Sequence, residues 1–198
     1  MAGNDAEKWD ARYRSGGHDR NTPVRVLADF QHLLPDKGTA LDLACGMGAN
    51  GLSLAEKGLD TSAWDISGEA LDKLSRRAKA AGLAIRTESR DVVASPPLPE
   101  TFDVIVVSYF LERDLFPQLI DALRTGGLLY YQTFIRDKVD ATGPGNPDYR
   151  LADNELLSLC ASLRILYYHE EGTVGNTRTG FRNEAMLVGL KDQNYVRD

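Results

Sequence analysis

The chain has 198 residues, 42% of them apolar and 26% charged, which fits one globular domain and excludes a disordered or fibrous chain. With 23 basic against 29 acidic side chains its net charge is −6, a balance that argues against a protein built to grip a nucleic-acid backbone. No apolar run approaches the roughly 18 residues of a membrane helix, the polar start MAGNDAEKWDARYR lacks the apolar core of a secretion signal, and Cys45 with Cys160 makes no disulfide framework, so a cytoplasmic protein with no membrane partner is expected.

From the amino end, the pattern predicts helices over residues 4–14 and 22–34, the second with Thr22 as cap and Pro23 in its first turn. Residues 39–44 (TALDLA) read as the first strand and Cys45-Gly46-Met47-Gly48 as a tight turn. A helix follows over 49–57 and stops at Gly58. The second strand, 59–64, leads past Ser67, a ready N-cap, into a helix to Ala80 closed by Gly82. Residues 83–87 give the third strand, the prolines of Ser95-Pro96-Pro97-Leu98-Pro99 a surface turn, and the apolar run 102–107 a central strand buried on both faces. A helix over 115–123 and a Gly126-Gly127 turn precede the fifth strand, 128–134. Residues 135–150, rich in Gly, Pro and Asp, read as a long loop of the kind that forms lids. Asp153 can cap a helix ending at Cys160, and 163–169 and 184–190 are two last strands joined through 171–182.

This alternation predicts an α/β fold: a doubly wound, mostly parallel, Rossmann-like sheet of seven strands, with helices on both faces and a C-terminal antiparallel strand. One domain is expected, with a helical cap over 1–37, a core over 38–134, and a lid loop with terminal strands over 135–198.

The junction after the first strand points to a ligand. A glycine-rich turn that opens a helix exposes backbone N–H groups and lets a ligand approach closely. Asp65, at the end of the second strand about 20 residues on, is placed to accept hydrogen bonds from ribose hydroxyls. Gly46-x-Gly48-x-x-Gly51 formally matches a dinucleotide fingerprint, but Asp42 precedes the turn. A carboxylate there repels pyrophosphate and suits a cationic or ammonium-bearing ligand.

Leu41-Asp42-Leu43-Ala44-Cys45-Gly46-Met47-Gly48 resembles motif I of the class I S-adenosylmethionine-dependent methyltransferases, with Ala44 where that family usually has its first glycine. Leu123-Arg124-Thr125-Gly126-Gly127-Leu128-Leu129 resembles the family's turn into the fifth strand. The resemblance implies S-adenosyl-L-methionine as cofactor. Asp42, Gly46 and Gly48 then line its methionine side, Asp65 binds its ribose and Asp91 faces its adenine, with Ala44, Ile66, Val92 and Ser108 also in the cofactor site. Trp9-x-x-Arg12-Tyr13, Asn50 and Trp64-Asp65 are similar to the tellurite-resistance protein B group, with the thiopurine methyltransferases further off. In that group an amino-terminal aromatic segment folds over the cofactor, which implies contacts from Trp9, Tyr13 and Asn50; the two aromatics, four apart, also fit a helix's core face.

The acceptor is expected after the fourth strand, where Ser108 and Tyr109 should reach the methyl group. That stretch lacks the Asn/Asp-Pro-Pro-Tyr/Phe motif of amino-methylating nucleic-acid enzymes, which with the acidic balance favours a small-molecule acceptor and no nucleic acid. An RNA or protein methyltransferase, a non-catalytic S-adenosylmethionine-binding protein and an NAD(P) dehydrogenase are the rival readings. His18 is a loop histidine, His32 and His169 read as structural, and the histidines and cysteines lack metal-ligand spacing. Arg12, Arg14, Arg20, Arg136, Arg150, Arg178 and Arg182 fall in covering segments and suggest a clamp for an anionic or soft-nucleophile acceptor; pairing with Asp137, Asp140, Asp148 and Glu184 is the alternative.

Overall fold

The computed structural model describes residues 2–16 and 21–194. Seven strands form one sheet: β1 (Thr39–Leu43), β2 (Asp60–Asp65), β3 (Ile85–Ser89), β4 (Phe102–Ser108), β5 (Leu123–Phe134), β6 (Arg164–Glu170) and β7 (Glu184–Leu190), in the order β3-β2-β1-β4-β5-β7-β6. Neighbours are parallel except at β7, which runs antiparallel to both β5 and β6. The chain winds outward from β1 to β3 and then returns to lay β4 against β1, with Leu41 opposite Ile105. That reversal opens a crevice at the carboxyl ends of β1 and β4, the place where open α/β sheets bind ligands.

The central strands are apolar on both faces because both faces are covered. On one side Leu41, Leu43, Ile105 and Val107 pack with α5 (Phe116–Ala122) and α6 (Glu155–Leu159). On the other, Ala40, Val104 and Val106 pack with α2 (Arg25–Asp29) and with Leu54 of α3 (Ala49–Glu56). Leu71 and Leu74 of α4 (Gly68–Ala81) close over Ala63 on that side. In α4 the Ser67 hydroxyl accepts from Ala70 N and Gly82 ends the helix at φ +68°, as the sequence predicts.

Four expectations change. Residues 22–34 do not form one helix: α2 ends at Asp29 and a 3-10 turn follows over Gln31–Leu33. The Phe30 carbonyl accepts from the buried Tyr130 hydroxyl at 3.0 Å and from Leu33 N at 3.1 Å, an i→i+3 bond of the 3-10 turn. Thr22 does not cap the helix either; Val24 N and Val26 N donate to Asn50 Oδ1 and Gln132 Oε1, both at 2.9 Å. The fifth strand starts at Leu123, and Gly126-Gly127 form an irregularity within it, since Phe102 pairs with Leu123 but Val104 with Leu128. A Cβ on Gly127 would lie 2.8 Å from the Arg124 carbonyl, so glycine is required there. Asn154, at φ 58°, precedes α6 in place of Asp153, and the Glu155 carboxylate takes Ala152 N at 2.7 Å. As the sequence predicts, the stretch with Ser95-Pro96-Pro97-Leu98-Pro99 is a turn, and no helix links β3 to β4. The proline-rich turn leaves a shallow depression of about 630 Å³ beside Ser62, Trp64, Arg86 and Glu88, toward the amino ends of β1 and β4. The Arg90 guanidinium, 4.1 Å from the Trp64 ring centroid, partly replaces the absent cover.

Among the described residues no helix is long and apolar enough to cross a membrane.

Candidate functional site

The turn after β1 is held in left-handed backbone at Ala44 (φ 52°), Gly46 (φ 52°) and Gly48 (φ 68°). Cys45 N bonds the Trp64 carbonyl at 3.0 Å, tying the turn to β2. Asp65 then holds two backbone groups: Oδ2 accepts from Gly46 N at 2.7 Å and Oδ1 from Ser67 N at 2.8 Å. Asp42 lies fully buried under the start of α3, where Oδ2 accepts from Gly51 N at 2.8 Å and Oδ1 from the Asn50 amide at 3.2 Å. A carboxylate so placed answers the unpaired N–H groups and the positive end of the helix. Burial nevertheless dominates and pushes the Asp42 carboxyl up to about 7. Burial also raises the Asp65 carboxyl. Among the described residues neither carboxylate has an ion-pair partner. The Cys45 thiol beside them is raised well above its ordinary range by burial, then by Asp42 and Asp65, which makes it inert as a nucleophile.

An amino-terminal helix, α1 (Ala2–Arg14), docks over this turn through α4. Asp10 accepts from the Ser67 hydroxyl at 2.6 Å and from Glu69 N at 3.2 Å, and Arg14 pairs with Glu69 at 2.9 Å. The docking brings Tyr13 onto the turn: a Cβ on Gly46 would fall 2.5 Å from the Tyr13 hydroxyl. Burial and then Asp65 hold that phenol well above its ordinary range, so it stays protonated. Trp9 stacks on Tyr13 with centroids 6.1 Å apart, and Arg12 lies 4.9 Å from the Trp9 centroid. The helical spacing therefore turns both aromatics to one face, and Tyr13 reaches the glycine turn.

Asn50 lies buried below the turn. Its amide also donates to the Ser108 hydroxyl at 3.0 Å, joining β1, α3, the end of β4 and the Val24 backbone. Tyr109 follows with a left-handed backbone (φ 56°), and its hydroxyl donates to Glu184 Oε2 at 3.1 Å. The Gln132 amide donates to the same carboxylate oxygen at 2.5 Å, and the Phe134 ring sits 5.0 Å from that of Tyr109. Sequence reasoning did not single out Gln132 or give Glu184 a role here. The signal was present: Gln132 is the one amide in the buried run Leu128–Phe134, and a buried amide needs partners.

The remaining expected residues are more dispersed. Ile66 is half-buried next to Asp65. Val92 is buried in the core with Trp64 and Leu43. Asp91 Oδ1 accepts from Val93 N and Ala94 N at 3.0 and 3.2 Å, so that oxygen shapes its own turn. His18 and Arg20 lie outside the described residues. His169 bonds Tyr167 and Glu171. No three His, Cys, Asp or Glu side chains cluster as metal ligands among the described residues.

A family model described as a methyltransferase domain matches residues 40–127. A probable S-adenosyl-L-methionine-dependent methyltransferase TehB of Haemophilus influenzae is 30% identical over 138 residues, 66% of this chain. Over residues 40–127 the chain is therefore similar to methyltransferase domains. It spans about half the length of the curated relatives it matches, 47% in each case. The crystal structure of TehB from Haemophilus influenzae superposes with a TM-score of 0.70 at 22% identity, over 93% of this chain and 67% of that one. A structure concerned with conversion of a disulfide bond into a thioacetal group in echinomycin biosynthesis gives 0.71 at 23%, over 96% and 94%. The [4+2]-cyclase SpnF gives 0.73 at 14%, over 97% and 96%. These structures share the fold, and the cyclase among them shows that the fold does not dictate the reaction.

The TehB relative is named for S-adenosylmethionine, and this chain's own atoms would fit that cofactor. Its sulfonium and ammonium are cations, and the turn lies over two buried carboxylates that lack a cationic partner. The Asp65 oxygens each accept one N–H and keep lone-pair capacity for ribose hydroxyls.

Proposed function

We propose that the protein transfers a methyl group from S-adenosylmethionine to a small-molecule acceptor that is anionic or a soft nucleophile, tellurite-like oxyanions included. The observation that carries this reading is the pair of buried, ion-pair-free carboxylates Asp42 and Asp65 under the turn over Ala44, Gly46 and Gly48. In this reading Asp65 takes the ribose, the turn follows the methionine portion, and Asp42 supplies negative potential beneath it. Trp9 and Tyr13 shield the turn from water. When bound, the cofactor supplies an already activated methyl group, so the protein's task is to position and desolvate the partners. Tyr109 is held by Glu184, to which its hydroxyl donates, by the Gln132 amide, which donates to that hydroxyl, and by the Phe134 ring. Ser108, tied to Asn50, lines the same end of β4. The net charge of −6 favours a small acceptor over RNA.

Calorimetry with S-adenosylmethionine, S-adenosylhomocysteine and NAD tests the cofactor; tighter NAD binding sinks the reading. A mass-spectrometric methylation screen over thiols, chalcogen oxyanions, carboxylates, neutral phenols and transfer RNA tests the acceptor. Turnover confined to RNA would replace the small-molecule reading.

A further inference from the structure

Arg150 is 4% exposed, yet a guanidinium stays charged at any ordinary pH. Its Nη2 donates to the Pro144 carbonyl, its Nε is buried with no acceptor, and among the described residues no carboxylate pairs with it. Two other arginines, Arg113 and Arg182, are compensated by carboxylates. Arg113 meets Glu155 through two bonds of 2.6 and 3.0 Å. Arg182 pairs with Glu171 at 3.3 Å and donates to the carbonyls of the 171–182 connection, which makes it a brace for that segment. A buried charge without a partner is unfavourable unless something else supplies the counter-charge.

The backbone under Arg150 is fixed. Arg113 donates to the carbonyls of Asp148 (2.7 Å) and Arg150 (3.0 Å), and Leu151 N bonds the Phe134 carbonyl at 2.9 Å. Arg150 is thereby pinned beside the carboxyl end of β5. The loop that it bonds packs on Phe134, where a Cβ on Gly143 would fall 2.7 Å from the ring, and Phe134 is the ring that faces Tyr109. The nearby acids are engaged elsewhere: Asp137 accepts from Thr173, Asp140 from Thr142 and Asn183, and Glu184 from Tyr109 and Gln132. Among the described residues none of the three pairs with an arginine, and Asp148, the fourth acid of the alternative, acts electrostatically on Arg113.

We propose that Arg150 is an anion-recognising subsite of the acceptor pocket, binding a carboxylate or other oxyanion of the acceptor beside Tyr109. The inference rests on the methyltransferase reading for its substrate, but not for its anion. A guanidinium matches such groups by charge-assisted hydrogen bonds.

The probes are 3-mercaptopropionate, its neutral amide, and selenite, titrated calorimetrically into the full chain with and without S-adenosylhomocysteine. The expected result is that one or both anions bind and the amide does not. Arg150→Gln should weaken anion binding about tenfold or more and leave S-adenosylhomocysteine affinity unchanged. Preference for the thiol acid places the subsite on organic carboxylates; preference for selenite places it on inorganic oxyanions. Arg150→Met tests a purely structural role, since removing an uncompensated buried charge should not lower the melting temperature. A lower melting temperature in Arg150→Met, undiminished anion binding in Arg150→Gln, or equal binding of acid and amide each overturns the proposal. Failure of S-adenosylhomocysteine to bind would overturn the proposed function instead, and anion binding would still be read in its absence.

Discussion

Ala44 holds a side chain at φ 52°, where the class I motif usually has glycine. The backbone of the turn is thus kept while the residue suited to it is not. A left-handed conformation costs an L-residue about 1–2 kcal/mol, and glycine's looser unfolded chain gives back part of that. Ala44→Gly should therefore stabilise the protein by about 0.5–1 kcal/mol in urea titration; a loss of stability would show that the Ala44 methyl packs usefully. Asp65 gives a second expectation. Asp65→Ala should weaken S-adenosylhomocysteine binding by about 1–3 kcal/mol, the scale of hydrogen bonds to a charged group, and unchanged affinity in calorimetry would misplace the ribose. Asp42 gives a third. Its carboxyl is raised from 3.8 to about 7 in the folded chain. Between those values the folded state holds a proton that the unfolded state has released, so Asp42's contribution to stability falls as pH rises from about 4 to about 7. The loss is about 4 kcal/mol at most. Asp42→Asn should flatten the melting-temperature profile across that window; an unaltered slope would assign it to other groups.

At the scale of elements, legibility follows where each element's partners lie. The strand–turn–helix from β1 into α3 and the whole of α4 could be read because their signals are local: a run of apolar residues, a capping Ser67, a terminal Gly82. The break in α2 could not, because distant amides take the N–H groups of its first turn and a distant Tyr130 hydroxyl fixes the Phe30 carbonyl at its end. The bulge in β5 depends on pairing with Phe102, which no local pattern records. The candidate site divides likewise. The glycine turn and Asp65 were legible from spacing, whereas the Tyr109–Gln132–Glu184 contact joins three strand ends and appears only on folding. α1 lies between these cases: its aromatic face was legible, its docking through Asp10 was not. Asp10→Ala should loosen that docking, lowering stability by about 1 kcal/mol and raising amide exchange in α1 more than in α4. Equal exchange in the two helices would mean that Asp10 is not what fastens α1.

Over the whole molecule, the halves of the sheet meet at the β1–β4 reversal, and Asn50 is the side chain that spans it. Its carbonyl takes Val24 N from the amino-terminal segment, and its amide serves Asp42 of β1 and Ser108 of β4. The same position therefore supports the glycine turn and the end of β4, where cofactor and acceptor are proposed. Asn50→Ala leaves a buried N–H and a buried carboxyl oxygen without partners, which should lower stability by about 2–4 kcal/mol. The loss should also depend on pH. Asn50 is one of the two groups that favour ionised Asp42 against burial, the other being Gly51 N. Without it the folded-state value moves above about 7, so the decline of stability with rising pH extends further into the alkaline range. Urea titrations of parent and variant at pH 5.5 and pH 8.5 (about one and a half units either side of the parent value) separate the two effects. The deficit should be larger at the higher pH. Equal deficits would leave Asn50 as a packing and capping residue with no hold on the Asp42 charge, and would remove the electrostatic link between the glycine turn and the end of β4.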